Sequence, residues 1–210
     1  MKKFNIGIIG LGNIGLEVYK NIKKNATDIR KKTGFKLNIY KVSAKNIKKK
    51  RGIKLPIKMM EKKILNIIND PKIDIIVELI GGADGVAKKV VFDSLKKSKH
   101  VVTANKALIA KHGDTLSVLA EKHNVNLLFE AAVGGGIPII RSMKQGLIAN
   151  KLSHIYGILN GTTNFILTEM EKRNEGFTKI LKDAQKLGYA EKNPSSDVDG
   201  YDAADKISIL

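Results

Sequence analysis

Apolar residues along the first 130 positions fall into short dense runs that alternate with longer amphipathic stretches. Lys3–Ile9 is a compact apolar run of strand length, followed by a glycine turn. From Leu16 to Lys32 the apolar positions Val18, Ile22, Ala26 and Ile29 recur at spacings of four, four and three. That spacing lines one face of a helix, which Gly34 ends. Leu37–Ala44 reads as a second strand. Ile64–Ile68 belongs to a helix closed by Asp70-Pro71, because a residue before proline is pushed out of helical geometry. Ile73–Ile80 is an almost unbroken β-branched run, the pattern of a strand covered on both faces. Gly85–Lys97 then predicts a helix, Val101–Thr103 a strand, Leu108–His123 a helix and Val125–Glu130 a strand. Strands alternating with helices imply an α/β fold built on a doubly wound parallel sheet with right-handed crossovers.

Beyond Gly134-Gly135-Gly136 the rhythm changes. Pro138–Gly146 predicts a short helix and His154–Leu159 a strand. Asn164–Arg173 and Thr178–Leu187 predict two amphipathic helices, Gly188–Gly200 a loop, and Tyr201–Leu210 the opening of a further helix. Two domains are therefore expected, the sheet domain over 1–133 and part of a second domain over 134–210. The closing segment Ile207-Ser-Ile-Leu210 is apolar and periodic, with no Gly, Asn or Pro to end it. The expectation is a chain that forms part of a longer protein.

Composition narrows the classes. With 210 residues, 43% of them hydrophobic, the chain can bury a core, which excludes wholesale disorder. The absence of cysteine excludes a disulfide scaffold, a thiolate zinc site and a cysteine nucleophile. A net charge of +18 invites a polyanionic partner. That charge is lopsided, however. Residues 20–63 hold 17 basic and 2 acidic residues, which leaves only +3 for the rest. The same segment offers only Phe35 and Tyr40 for stacking on bases. With 34 Lys against 4 Arg, beside 28 Ile and 16 Asn, the charge fits a compositional bias. A basic nucleic-acid-binding protein remains the alternative from a different class, distinguished by salt-dependent binding of DNA without binding of a dinucleotide. Met1-Lys-Lys before an apolar run has the outline of a leader, but Gly7, Gly10, Gly12 and Gly15 interrupt it. No uncharged run reaches the roughly 18 residues of a membrane span, so a cytoplasmic protein is expected. His100, His112, His123 and His154 are scattered, without metal-ligand spacing. Ser195-Ser196 has no histidine close in sequence to act as its base.

Gly10-Leu-Gly12-Asn13-Ile14-Gly15 is a G-x-G-x-x-G turn that follows a strand and opens a helix. The first glycine permits the tight turn, the second lets a pyrophosphate approach the backbone, and the third allows helix and strand to pack closely. The phosphates would sit on the helix N-terminus, where N–H groups and the dipole favour an anion. A Rossmann-type sheet binding a nicotinamide dinucleotide follows. An acidic residue at the end of the second strand would hold an adenosine ribose hydroxyl. Here that stretch is Tyr40-Lys-Val-Ser43-Ala-Lys45, followed by Lys48, Lys49, Lys50 and Arg51, with no carboxylate. Ser43 and Lys45 are the candidates for a 2′-phosphate, which favours NADP over NAD.

Between Gly188 and Lys206 five carboxylates and two lysines crowd into 19 residues. If the segment from Tyr201 is helical, Asp202 and Lys206 lie at i and i+4 on one face. A carboxylate can orient an ammonium or bind a substrate's amino group while the lysine moves a proton. Spacing alone equally fits a surface ion pair worth a few tenths of a kcal/mol.

These blocks carry a resemblance. Besides the glycine turn there are Val77-Glu-Leu-Ile80, Val102-Thr-Ala-Asn-Lys106, and Glu130 through Gly134-Gly-Gly-Ile-Pro138. Further on come Gly157-Ile-Leu-Asn-Gly-Thr-Thr-Asn164 and the Gly188–Lys206 block. Along its whole length the chain resembles homoserine dehydrogenase. The resemblance implies a Rossmann-type domain followed by the start of an α+β substrate and dimerisation domain. It implies NAD(P)-dependent interconversion of L-aspartate 4-semialdehyde and L-homoserine, in the synthesis of threonine, methionine and isoleucine. The runner-up within enzymes is action on another amino-acid aldehyde or a keto acid.

Position by position, the resemblance makes Lys206 the proton donor to the carbonyl oxygen. Lys106 becomes a second candidate for proton transfer or cofactor binding. Glu191 and Asp202 would hold the substrate's amino group, with Thr162 a further contact, and Gly188 would approach the cofactor. Glu130, with the main-chain carbonyls of Val133, Gly135 and Ile137, matches the family's monovalent-cation site, usually sodium. Asp205 stands where the family is commonly basic or neutral, and Asn193 where an aspartate is common. Family members run well beyond this length, form homodimers, and in many cases add a threonine-binding regulatory module.

Overall fold

Parallel pairing organises the first 136 residues. β1 (Lys3–Ile9), β2 (Lys36–Ser43), β3 (Ile75–Glu78), β4 (His100–Thr103) and β5 (Leu127–Leu128) form one sheet in the order β2-β1-β3-β4-β5. The computed structural model describes residues 1–46, 49, 51–53 and 55–210. Lys48 and Lys50, two of the lysines after the second strand, therefore lie outside the described residues. The chain divides into two compact units, Met1–Gly136 and Ile137–Leu210.

In the first unit the helices are α1 (Asn13–Lys24), α2 (Ala26–Thr33), α3 (Ile64–Asn69), α4 (Val86–Lys96) and α5 (Lys106–Lys122). Both faces of β1 and β3 are covered, which is why their sequences read as continuous apolar runs rather than alternating ones. Ile6, Ile8, Ile39, Val42 and Val77 are buried with Leu11, Tyr19 and Met59. The chain runs from β1 to β2 on one side and returns past β1 to β3 on the other. The carboxyl ends of β1 and β3 thus flank the point where strand order reverses, the usual ligand crevice of such sheets.

The second unit holds α6 (Ile139–Arg141), α7 (Gly161–Arg173), α8 (Phe177–Leu187), α9 (Ser195–Val198) and α10 (Tyr201–Ile209). Ile166 of α7 packs with Ile180 and Ala184 of α8 and with Ala190. Asn174, at φ 51°, ends α7, and Gly188, at φ 83°, ends α8.

Several elements differ from the sequence expectation. The single helix over Leu16–Lys32 is two helices broken at Asn25, whose φ of −97° and ψ of 13° end α1 and open α2. Asparagine competes poorly for helical geometry, and α2 buries no residue that would hold the two in line. The helix over Pro138–Gly146 is a short α-helical turn that continues as a π turn over Ser142–Gly146. The strand expected over Val125–Glu130 shortens to Leu127–Leu128, an edge pair against β4 that gives way to a 3₁₀ turn at Glu130–Ala132. No strand forms over His154–Leu159. A strand exists through its ladder, and among the described residues none lies beside this segment. Ile155, Tyr156 and Ile158 stay exposed. Among the described residues no helix is long and apolar enough to cross a membrane.

Candidate active site

The three glycines after β1 differ in what surrounds them. Gly10 adopts φ +106°, and a Cβ there would collide with the backbone carbonyl of Leu79, beyond β3. Its N–H donates to the Ser43 carbonyl at the end of β2, 2.9 Å away. A Cβ at Gly15 would collide with the carbonyl oxygen of Gly10, so α1 closes onto the turn only because that side chain is absent. At Gly12 a Cβ would meet nothing within 4 Å. Gly12 is the N-cap of α1 and receives no side-chain cap, with Asn13 and Ile14 exposed beside it. A helix N-terminus approached over a bare, open backbone is the cradle a pyrophosphate needs.

At the end of β2, Ser43 is buried and Lys45 is exposed. Of the two candidates for a 2′-phosphate, the lysine is the one that solvent and ligand can reach. Arg51 does something spacing did not suggest. Its Nε donates to the Leu11 carbonyl within the glycine turn at 3.0 Å, and its terminal nitrogens donate to the carbonyls of Lys49 and Asn46 at 2.9 and 2.6 Å. The guanidinium ties the loop after β2 to the turn.

The carboxyl ends of β3 and β4 are joined by a second network. Glu78 is fully buried and accepts from the N–H groups of Ile80 and Gly81, at 2.6 and 3.3 Å, and from Thr103 Oγ1 at 2.7 Å. Thr103 Oγ1 accepts from the Asn105 N–H at 3.0 Å. Asn105 donates to the Gly82 carbonyl at 2.8 Å, while its Oδ1 caps α5 by accepting from Leu108. This places Lys106, half-buried, as the first residue of α5. Asp84, in the following turn, pairs with Lys111 at 2.6 Å and His112 at 2.9 Å. Those two donors hold its carboxyl down at about 2, against 3.8 for an ordinary aspartate.

In the second unit, Nζ of Lys206 lies 2.6 Å from Oδ2 of Asp202 and 2.6 Å from the Leu159 carbonyl. The pair spans one turn of α10 and is largely withdrawn from water, with side chains 19% and 5% exposed. Asn160 Nδ2 donates to Asp202 Oδ2 and to Asp197 Oδ1, each at 2.7 Å. Thr162 Oγ1 donates to the Tyr189 carbonyl at 2.8 Å and so ties α7 to the loop after α8. That loop carries Gly188 and the exposed Glu191, whose carbonyl accepts from Gln185. The structure brings Asp202 and Lys206 together and adds Asn160 and Asp197, to which no role was assigned from sequence. Asn160 caps α7 by accepting from the Thr163 N–H, a position hidden by the sequence expectation that started this helix at Asn164. Of the residues matching a cation site, Glu130 opens a 3₁₀ turn and Val133 is buried just after it. Gly135 belongs to the first unit and Ile137 to the second.

A parallel sheet with a bare glycine cradle at its switch point defines a dinucleotide-binding α/β protein. Comparison with known proteins gives the family. The homoserine dehydrogenase NAD-binding domain profile matches residues 10–130, and the homoserine dehydrogenase profile matches 138–210. The homoserine dehydrogenase of Bacillus subtilis is 42% identical over all 210 residues, which cover 48% of its length. The crystal structure of a homoserine dehydrogenase from Thiobacillus denitrificans, 40% identical, superposes with a TM-score of 0.90, covering 100% of this chain and 48% of that one. A hyperthermophilic archaeal homoserine dehydrogenase solved in complex with NADPH is 26% identical, with a TM-score of 0.83, covering 99% and 68%. The chain belongs to the homoserine dehydrogenase family. It spans about half the length of the curated relatives it matches.

Proposed function

We propose that the natural protein reduces L-aspartate 4-semialdehyde to L-homoserine with NADPH, and catalyses the reverse oxidation. The observation that carries this reading is the partly buried Lys206 ammonium, held by Asp202 and the Leu159 carbonyl. When bound at the Gly10–Gly15 turn, the nicotinamide cofactor supplies a hydride to the aldehyde carbon. Gly12, Asn13 and Ile14 cradle its pyrophosphate, and Lys45 takes the 2′-phosphate. The NADPH complex of the archaeal relative supports the choice of cofactor.

An ammonium has three N–H donors. Among the described residues two of those on Lys206 are taken, by Asp202 and Leu159. The third is turned to the substrate's carbonyl oxygen, stabilises the charge that builds there, and passes the proton. Asp202 and Glu191 hold the substrate's amino group, and Thr162 keeps the loop carrying Gly188 and Glu191 against α7. Lys106 is the second candidate for proton transfer or for contact with the cofactor. Glu130 and the carbonyls of Val133, Gly135 and Ile137 offer one carboxylate and three neutral oxygens, a donor set suited to a hard cation such as sodium. The protein acts as a cytoplasmic homodimer in the route to threonine, methionine and isoleucine.

The test is a steady-state assay of the natural polypeptide. NADPH consumption is expected with L-aspartate 4-semialdehyde and not with keto acids or other amino-acid aldehydes. Equal rates with those competitors contradict the reading.

A further inference from the structure

Two consecutive residues before α7 grip the two members of the ion pair on α10. The Leu159 carbonyl holds the Lys206 ammonium, and the Asn160 amide holds the Asp202 carboxylate. The remaining proton of that amide goes to Asp197. The orientation of the amide is determined by its oxygen, which accepts the N–H of Thr163 at 2.8 Å and lies 3.1 Å from Thr163 Oγ1. Flipped, it would set an oxygen against two carboxylates and an NH₂ against an N–H. Asn160 is itself 8% exposed, so water does not compete strongly for these bonds.

The geometry points to Asn160 as the positioning residue of this site. The NH₂ group is planar, with its two N–H bonds at a fixed angle, so it sets the spacing between one oxygen of Asp197 and one of Asp202. Because Oδ2 of Asp202 accepts from both Asn160 and Lys206, the amide also sets where the ammonium stands. The donor is neutral. Two carboxylates against one ammonium leave a net negative charge, which suits a substrate carrying its own ammonium and which a lysine at 160 would cancel. This inference rests on the proposed roles of Lys206 and Asp202.

Asn160→Asp in the natural full-length protein separates positioning from helix capping. Aspartate caps a helix as well as asparagine does, so α7 keeps its start. The substitution replaces two donors by an acceptor facing two carboxylates. The expected result is unchanged NADPH affinity, a KM for homoserine raised at least about tenfold, and a lowered kcat. The loss should shrink as pH falls, because the introduced carboxyl takes up a proton and then donates again. Asn160→Ser keeps a capping oxygen, adds no charge and replaces the two amide N–H donors by one shorter hydroxyl, which cannot serve both carboxylates. It should lose kcat/KM about tenfold without the recovery at low pH, and it covers the case in which Asn160→Asp does not fold. Parent-like kcat/KM and pH profile in either folded variant overturn the inference alone. A parent enzyme inactive on homoserine overturns the reading beneath it as well.

Discussion

Oδ2 of Asp202 accepts from both Lys206 Nζ, 2.6 Å away, and Asn160 Nδ2, 2.7 Å away. One carboxylate oxygen thus links a lysine one turn ahead on its own helix to an amide 42 residues upstream. Asp202→Asn keeps the shape and removes the charge. It is expected to reduce kcat/KM for homoserine by about 10²-fold, the lower end of what an aligned general acid contributes. Stopped-flow measurement of NADPH binding to the same variant should give the parent value.

Substitutions at Gly12 and Gly15 should separate cofactor binding from folding. Gly12→Ala projects a methyl into open space and only weakens an N-cap. Its melting temperature should fall less than that of Gly15→Ala, while NADPH affinity falls at least about tenfold, or about 1.4 kcal/mol. Gly15→Ala drives a methyl into the Gly10 carbonyl. Overpacking of this kind costs about 1–3 kcal/mol, which lowers the melting temperature by roughly 2–4 °C per kcal/mol. Calorimetry and nucleotide titration on the two variants should therefore diverge.

Lys45 is an exposed cation just beyond β2, where the sequence has no acidic residue to hold a ribose hydroxyl. Lys45→Glu should weaken NADPH by about tenfold or more and leave NADH nearly unchanged. Fluorescence titration with both nucleotides reads the difference, and an equal loss for both would remove Lys45 from the 2′-phosphate site.

Asp84 titrates at about 2, because Lys111 and His112 bond to its carboxylate. A carboxyl whose folded value lies below its unfolded 3.8 favours the folded state above pH 3.8. That contribution is lost as pH falls toward 2. A carbon-detected NMR titration should find the low midpoint, and Lys111→Met should move it up toward the ordinary value.

The apolar runs around Ile8 and Ile76 announce their strands, because a strand buried on both faces needs apolar residues at nearly every position. The glycine turn is legible for a similar reason, since its demands fall on a few adjacent residues. Asp202 and Lys206 can be placed on one helix face from spacing alone, being one turn apart. Contacts between distant segments leave no such trace. Asn160 meets Asp197 and Asp202 across 37 and 42 residues, and Arg51 meets Leu11 across 40. The break at Asn25 and the unpaired segment over His154–Leu159 were hidden for another reason. Helix continuity and strand pairing depend on what packs alongside, which local periodicity does not encode.

Lys206→Ala carries the central claim, that a lysine held by Asp202 gives the proton to the substrate oxygen. In the natural full-length protein, single-turnover reduction of L-aspartate 4-semialdehyde by bound NADPH should slow by about 10²–10⁴-fold. The affinity for NADPH should stay at the parent value. A variant that turns over at the parent rate would contradict the assignment of Lys206 as proton donor.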